Sequence, residues 1–234
     1  MKVLTRAGLL IGSAVIAAGV AAPAYAADPA GIDEAKKVVT AQIDGRLAAL
    51  HTMQTVVNGA PRLTPGHKST LNGVLGGDVT GLTALRTKVA GETTLAGVKA
   101  DADSMVNDYR VYLLVEPKVR LTIAADLGTA VYGELRDVQD KLTALVAAAK
   151  KAGKDVGTAE ADLADMQARL QDASAVMAGK IDALLAIQPG PDGQAIKTQV
   201  DVARAALDTA RADLRKATVD AKHVRDILKG LGGS

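Results

Sequence analysis

The 234-residue chain has no cysteine, no phenylalanine and no tryptophan. Without cysteine there are no disulfides, thiolate zinc sites, iron–sulfur clusters, cysteine nucleophile or lipoprotein anchor. Without Phe or Trp, any core must be filled by Leu, Val, Ile, Met and Ala, which suits close helix packing better than a thick sandwich or barrel interior. Only four tyrosines are present, and Tyr109, Tyr112 and Tyr132 are the only aromatic residues beyond position 26. An excess of either charge is also missing. The formal +2 comes from Lys2 and Arg6, and the remainder is balanced at 26 basic and 26 acidic residues. That balance removes the usual warrant for nucleic-acid binding, which needs clustered Lys and Arg facing phosphates.

What is present is an export signal followed by helical rhythm. Met1 to Arg6 form a positive n-region and Ala7 to Ala22 an apolar h-region. Ala24-Tyr25-Ala26 before Ala27 is a small-residue cleavage site. Sixteen apolar residues before a proline fall short of the ~20 that span a bilayer, so cleavage is expected rather than retention as an anchor. No later run is apolar enough to span. The expected location is therefore the exterior or the cell envelope.

From Ile32 to Val57 apolar residues recur three or four apart, predicting a helix that ends at Gly59-Ala60-Pro61. Thr64-Pro65 reads as an N-cap with proline at the first helical position. The helix it opens contains Gly73, Gly76, Gly77 and Gly81, each costing roughly 1 kcal/mol relative to Ala, so a break is expected there. A third helix is expected from about Thr94. Asp101-Ala102-Asp103-Ser104 resembles the start of a calcium loop, but Val106 and Tyr112 stand where an EF-hand needs Gly and Glu.

Pro117 lacks an amide proton and disfavours helical geometry at Glu116, so a helix arriving through Tyr112 is expected to stop or kink before it. Val119, Ile123, Leu127, Val131, Leu135, Val138, Leu142, Leu145 and Ala149 then predict one apolar face running to a stop at Gly153. A further helix is expected from a Thr158 cap to Gln188-Pro189-Gly190. In the last helix Ile196, Val200, Ala203, Leu207, Ala210, Leu214, Ala217, Ala221, Val224 and Leu228 alternate four and three, a heptad seam. The expected fold class is all-α: a bundle of long antiparallel helices with a coiled-coil-like C-terminal three-helix part. Its expected parts are a signal at 1–26, front helices over 28–115 and long helices over 117–230.

The densest stretch runs from Asp108 to Asp126, where charges, tyrosines and bulky aliphatics surround Pro117. Tyr109, Arg110, Tyr112, Glu116, Lys118 and Arg120 are the candidate interaction patch. On a plainer reading the tyrosines fill a bulky core layer and the charges solvate a bend. Asp108, Glu116 and Asp126 are the only carboxylates placed to act as an acid/base set, and ordinary helix-surface charge explains them as well. His51, His67 and His223 lie on separate segments without metal-ligand spacing. The serines fall in no nucleophile motif and the glycines form no phosphate loop, so no catalytic residue, metal or cofactor is expected.

Tyr109-Arg110-Val111-Tyr112, Leu114, Pro117-Lys118 and Ala124-Ala125-Asp126 together resemble a segment of uncharacterised secreted bacterial helical proteins. The resemblance implies export and helical architecture and brings no catalytic residues. The expected function is a secreted, non-enzymatic scaffold or interaction protein, working through another protein or through self-association along helical seams. The alternative is an exported binding or chaperone-like protein that uses a groove near Pro117.

Overall fold

The computed structural model describes residues 31–232, so the export signal expected at 1–26 lies outside the described residues. Seven α-helices and one π-helical turn make up this span, and no strand occurs among the described residues. The fold is an all-α bundle.

Helix α1 (Ile32–Gly59) buries Ala35, Val39, Ile43, Leu50, Met53 and Val57 along one stripe. A short turn leads to α2 (Pro65–Gly91), where the Thr64 hydroxyl accepts from the His67 amide and Pro65 opens the first turn. The two helices run antiparallel, with Lys36 donating to the Ala90 carbonyl at one end and Asn72 to Asn58 at the other. Helix α3 (Leu95–Asn107), capped by the Thr94 hydroxyl, lies on both. Leu50, Leu71, Leu82, Val98 and Met105 centre this front cluster, which also takes in Val111, Val115 and Val119.

The expected break inside α2 does not occur. Its glycines sit in an unbroken helix because Leu71, Leu75, Leu82, Leu85 and Val89 bury a full stripe against α1 and α3, and tertiary packing outweighs a deficit of ~1 kcal/mol per glycine. Gly81 has a specific role. A Cβ there would fall 2.5 Å from the Tyr109 hydroxyl and 2.7 Å from its ring. Gly73 and Gly77 face open space, and nothing in the structure explains their being glycine.

The main chain bend falls before Pro117, at Asp108 to Arg110. Arg110 takes the left-handed conformation, with φ 45°, at a cost of about 1 kcal/mol for a residue bearing a Cβ. A π-turn follows over Val111–Val115, in which the Glu116 amide reaches back to the Val111 carbonyl and Val115 to Arg110. The extra residue per turn has a local cause: in a regular α-helix the Pro117 ring would strike the Leu113 carbonyl, and the wider turn relieves that clash.

Helix α4 (Glu116–Lys151) is then continuous over 36 residues. It ends in a Schellman motif, with Gly153 at φ 75°, its amide on the Lys150 carbonyl and the Lys154 amide on Ala149. Helix α5 (Gly157–Met177) returns along α4. The expected Thr158 cap is not used; Asp155 instead accepts from the Gly157 amide. The helix expected to run on to Gln188 is interrupted at Ala178-Gly179, where Gly179 has φ 67°. A short α6 (Lys180–Ala186) follows. Helix α7 (Gly193–Gly232), 40 residues long, spans about 60 Å and buries nine of the ten heptad-spaced positions, from Ile196 to Val224.

Two hydrophobic clusters follow along this rear part. A middle one joins Leu114, Ala125, Ile181, Leu184, Ile196, Val200 and Leu207. A rear one joins Leu135, Leu142 and Val146 of α4, Leu163, Met166 and Leu170 of α5, and the α7 alanines with Leu214 and Val224. The expected single face of α4 is not buried throughout: Leu127, Val138 and Leu145 are exposed, and Val146 takes up the buried stripe.

The glycines of α2 provide a direct check. In urea unfolding, Gly77→Ala should stabilise the protein by about 0.5–1 kcal/mol through helix propensity. Gly81→Ala should destabilise it instead, because its methyl group displaces the Tyr109 ring. Equal gains at both positions would show that the Tyr109–Gly81 packing carries no weight.

Candidate functional site

The six residues of the candidate patch do not form one surface. Arg110 donates from Nε to the Gly190 carbonyl (2.8 Å) and from Nη2 to the Pro191 carbonyl (2.7 Å) and to Asn107 (2.9 Å). These bonds hold the loop before α7 onto the bend, and they compensate the left-handed backbone of Arg110. Gly193 admits the arrangement, since a Cβ there would lie 3.1 Å from Arg110 Nη1. Tyr109 turns inward over Gly81 of α2. Burial, and then the nearby Asp108 and Asp78, push its phenol upward.

Lys118 is the deepest of the six, at 3% exposure. Its ammonium donates to the Leu185 and Ile187 carbonyls at the C-terminal end of α6, where the helix dipole favours a cation. Burial draws its pKa down, and the Asp78 carboxylate acts the other way. Asp78 is half-buried on α2, and one of its carboxylate oxygens has no hydrogen-bond partner. Burial pushes this carboxyl up to about 6 in spite of Lys118.

Tyr112, Glu116 and Arg120 are the members left at the surface. Glu116 pairs with Arg120 one turn along α4. The Tyr112 ring lies under the Arg46 guanidinium, 5.4 Å from ring centre to Cζ, in cation–π range. Arg46 itself is buried on α1, which lowers its pKa. With Pro117, Leu121 and Arg204 these three residues line a depression of about 280 Å³. It is walled by charge as much as by carbon, unlike the apolar groove a chaperone-like site at Pro117 requires.

Of the three carboxylates considered for acid/base work, Glu116 and Asp126 are held apart. Asp108 caps α3. Glu116 and Asp126 are ten residues apart on α4, about 15 Å along the axis, beyond the ~9.5 Å that paired carboxylates span in glycoside hydrolysis. Asp126 is buried, accepting from the Thr64 amide (2.7 Å) and lying 2.8 Å from His67 Nδ1. His223 pairs with Asp162 on the rear helices and His51 is exposed on α1, so the three histidines stand apart. No cluster of three His, Asp or Glu suited to a metal occurs among the described residues. Asp101, which begins the calcium-like motif, is buried and paired with Lys88.

Sequence reading missed Asp78 and Arg46 and took Gly81 only as a weak point of its helix; all three lie on the front helices and answer side chains at or just after the bend. A usable signal was the run Gly76-Gly77-Asp78, a carboxylate on an otherwise apolar helix. No protein family matches the chain, and neither curated proteins nor solved structures give a match.

The Asp78 carboxyl makes stability depend on pH with a definite sign. Its folded value of about 6 lies above the ordinary 3.8, so the folded protein keeps a proton that the unfolded chain releases, and stability falls as pH rises through that window. Asp78→Asn should therefore stabilise the protein at pH 7 by on the order of 1–2 kcal/mol, the shift being discounted for partial exposure. At pH 4 it should gain little. Urea midpoints at the two pH values measure this, and an equal gain at both would count against a buried charge at Asp78.

Proposed function

We propose that the chain is an exported, non-enzymatic helical scaffold or interaction protein of the cell envelope or exterior. The observation that carries this reading is the use made of the charged side chains around Pro117. Arg110 and Lys118 tie the bend and α4 to the end of α6 and the loop before α7, and Asp126 ties α4 to the start of α2. Arg62 of the α1–α2 turn adds an exposed pair with Glu134 of α4. Side chains that would serve a reaction centre are spent on holding the front helices and the long rear helices in one arrangement. A long shape of fixed geometry suits presenting surfaces to other proteins.

Export rests on the signal-like residues 1–26, and no described helix is long and apolar enough to cross a membrane. The neutral balance of charge beyond the signal supports protein partners over nucleic acid.

The test combines shape and activity. Lys118→Met removes the donor of two carbonyls and the countercharge of Asp78, and should cost about 2–3 kcal/mol. Combined with Arg110→Gln, it should broaden the small-angle scattering profile while circular dichroism stays helical. An unchanged profile would mean that the ties do not set the geometry. Turnover of peptidoglycan, glycan or ester substrates, abolished by Glu116→Gln, would overturn the non-enzymatic reading, and retention inside cells of the chain with residues 1–26 intact would overturn export.

A further inference from the structure

Between Ala125 and Leu135, helix α4 contributes no buried hydrophobic side chain. The middle cluster ends at the first of these residues and the rear cluster begins at the second. Packing is thin between them on the α4 side, where only the partly buried Val131 and Tyr132 contribute, while Met177 at the end of α5 packs against both clusters. Small residues predominate here, Gly128 on α4, Ala173 and Ser174 on α5 and Ala210 on α7, beside the one bulky ring of Tyr132. They leave a cleft of about 260 Å³ floored by Met177, Leu207 and Leu214. A second hollow of about 200 Å³ shares Gly128, Arg211 and Leu214 with it and extends past Leu127 and Val131. Leu127 is 43% exposed although its spacing is that of a core position. Folded interiors are close-packed, so a hollow left unfilled among apolar walls stands out.

The charged residues that line this trough are all basic. No carboxylate lines either hollow, while Arg211 lines both and Arg215, one turn further on, lines the second. Among the described residues Arg211 has one ion pair, a loose, exposed one to Asp208 at 3.7 Å, and Arg215 has none. Guanidinium groups with free donors beside an apolar slot match a molecule with a hydrocarbon tail and an anionic head.

We propose that the trough at Gly128 binds a single-chain amphiphile of the fatty-acid class, its alkyl tail between α4, α5 and α7 and its carboxylate on Arg211 and Arg215. At roughly 30 Å³ per water-sized group, the larger cleft takes on the order of eight methylenes, and the adjoining hollow lengthens the track past Leu127. The tail thickens the packing on the α4 side between the middle and rear clusters. The trough lies away from the ties at Arg110 and Lys118, so occupancy is compatible with a scaffold.

Calorimetric titration of the purified protein with octanoate, decanoate and dodecanoate, each below its micellar concentration, tests this. Affinity should rise about fourfold per methylene at one site per chain. Dodecyltrimethylammonium, with the same tail and the opposite head, should bind at least about tenfold more weakly, and Arg211→Gln with Arg215→Gln should cost dodecanoate a similar factor. Gly128→Leu fills the slot and should abolish binding, with Ser174→Leu doing so from the opposite wall. Either variant counts where circular dichroism stays helical, and the chain-length and head-group series on the unaltered protein decides the matter if both unfold. Affinity independent of tail length, equal binding of the cationic head, or full binding by folded Gly128→Leu would overturn the proposal. So would a dimer in sedimentation that Gly128→Leu dissociates, since the trough would then be a contact between two copies.

Discussion

A lysine ammonium taken out of water must be given other dipoles and charges, and Lys118 receives them from two distant parts of the chain. The carbonyls of Leu185 and Ile187 accept its protons, and Asp78 of α2 supplies a partly neutralising charge. Removing the lysine leaves both carbonyls and the Asp78 carboxylate without their partner, which is why such a group constrains its surroundings more than it stabilises them. Leu185 and Ile187 hold the end of α6 against α4, and Asp78 brings α2 to the same place. At the bend from Asp108 to Arg110, the Arg110 side chain adds a second tie, to the loop before α7.

Polar ties of this kind complement a core that is entirely aliphatic. The front, middle and rear clusters contain no aromatic residue except Tyr109 and Tyr132 at their margins. Aliphatic side chains at helical spacing tolerate sliding and rotation between helices, since many registers bury similar area. Asp126 on Thr64 and His67, Lys118 on α6, and Arg110 on Gly190 each accept one geometry. Together they select one arrangement among several of comparable apolar burial. Where packing between the clusters thins on the α4 side, around Gly128, the same economy of small side chains leaves an apolar trough.

Much of the architecture was legible in the chain. The N-cap at Thr64, the helix start near Thr94, the stop at Gly153 and the stripe from Ile196 to Val224 are local features, each determined by a residue's own backbone preference or by spacing within one helix. The absence of thiol chemistry and the balance of charge are likewise properties of composition.

The remainder depended on partners far away in sequence. Nothing local distinguishes Gly81, which Tyr109 requires, from Gly77, which faces open space. Lys118 and Arg120 read alike on one helix, yet one is buried beneath α6 and the other is exposed. The charged residues around Pro117 promised a surface patch, and the fold turned half of them inward. The apolar rhythm of α4 predicted a continuous face, but a straight helix drifts relative to its neighbours, and Leu127, Val138 and Leu145 fell outside the buried stripe. Composition and periodicity determined that this chain forms helices and where most of them begin and end. Only the tertiary structure decided which charges are buried, because that depends on which helix ends meet, and a meeting of ends is set by packing across the whole bundle.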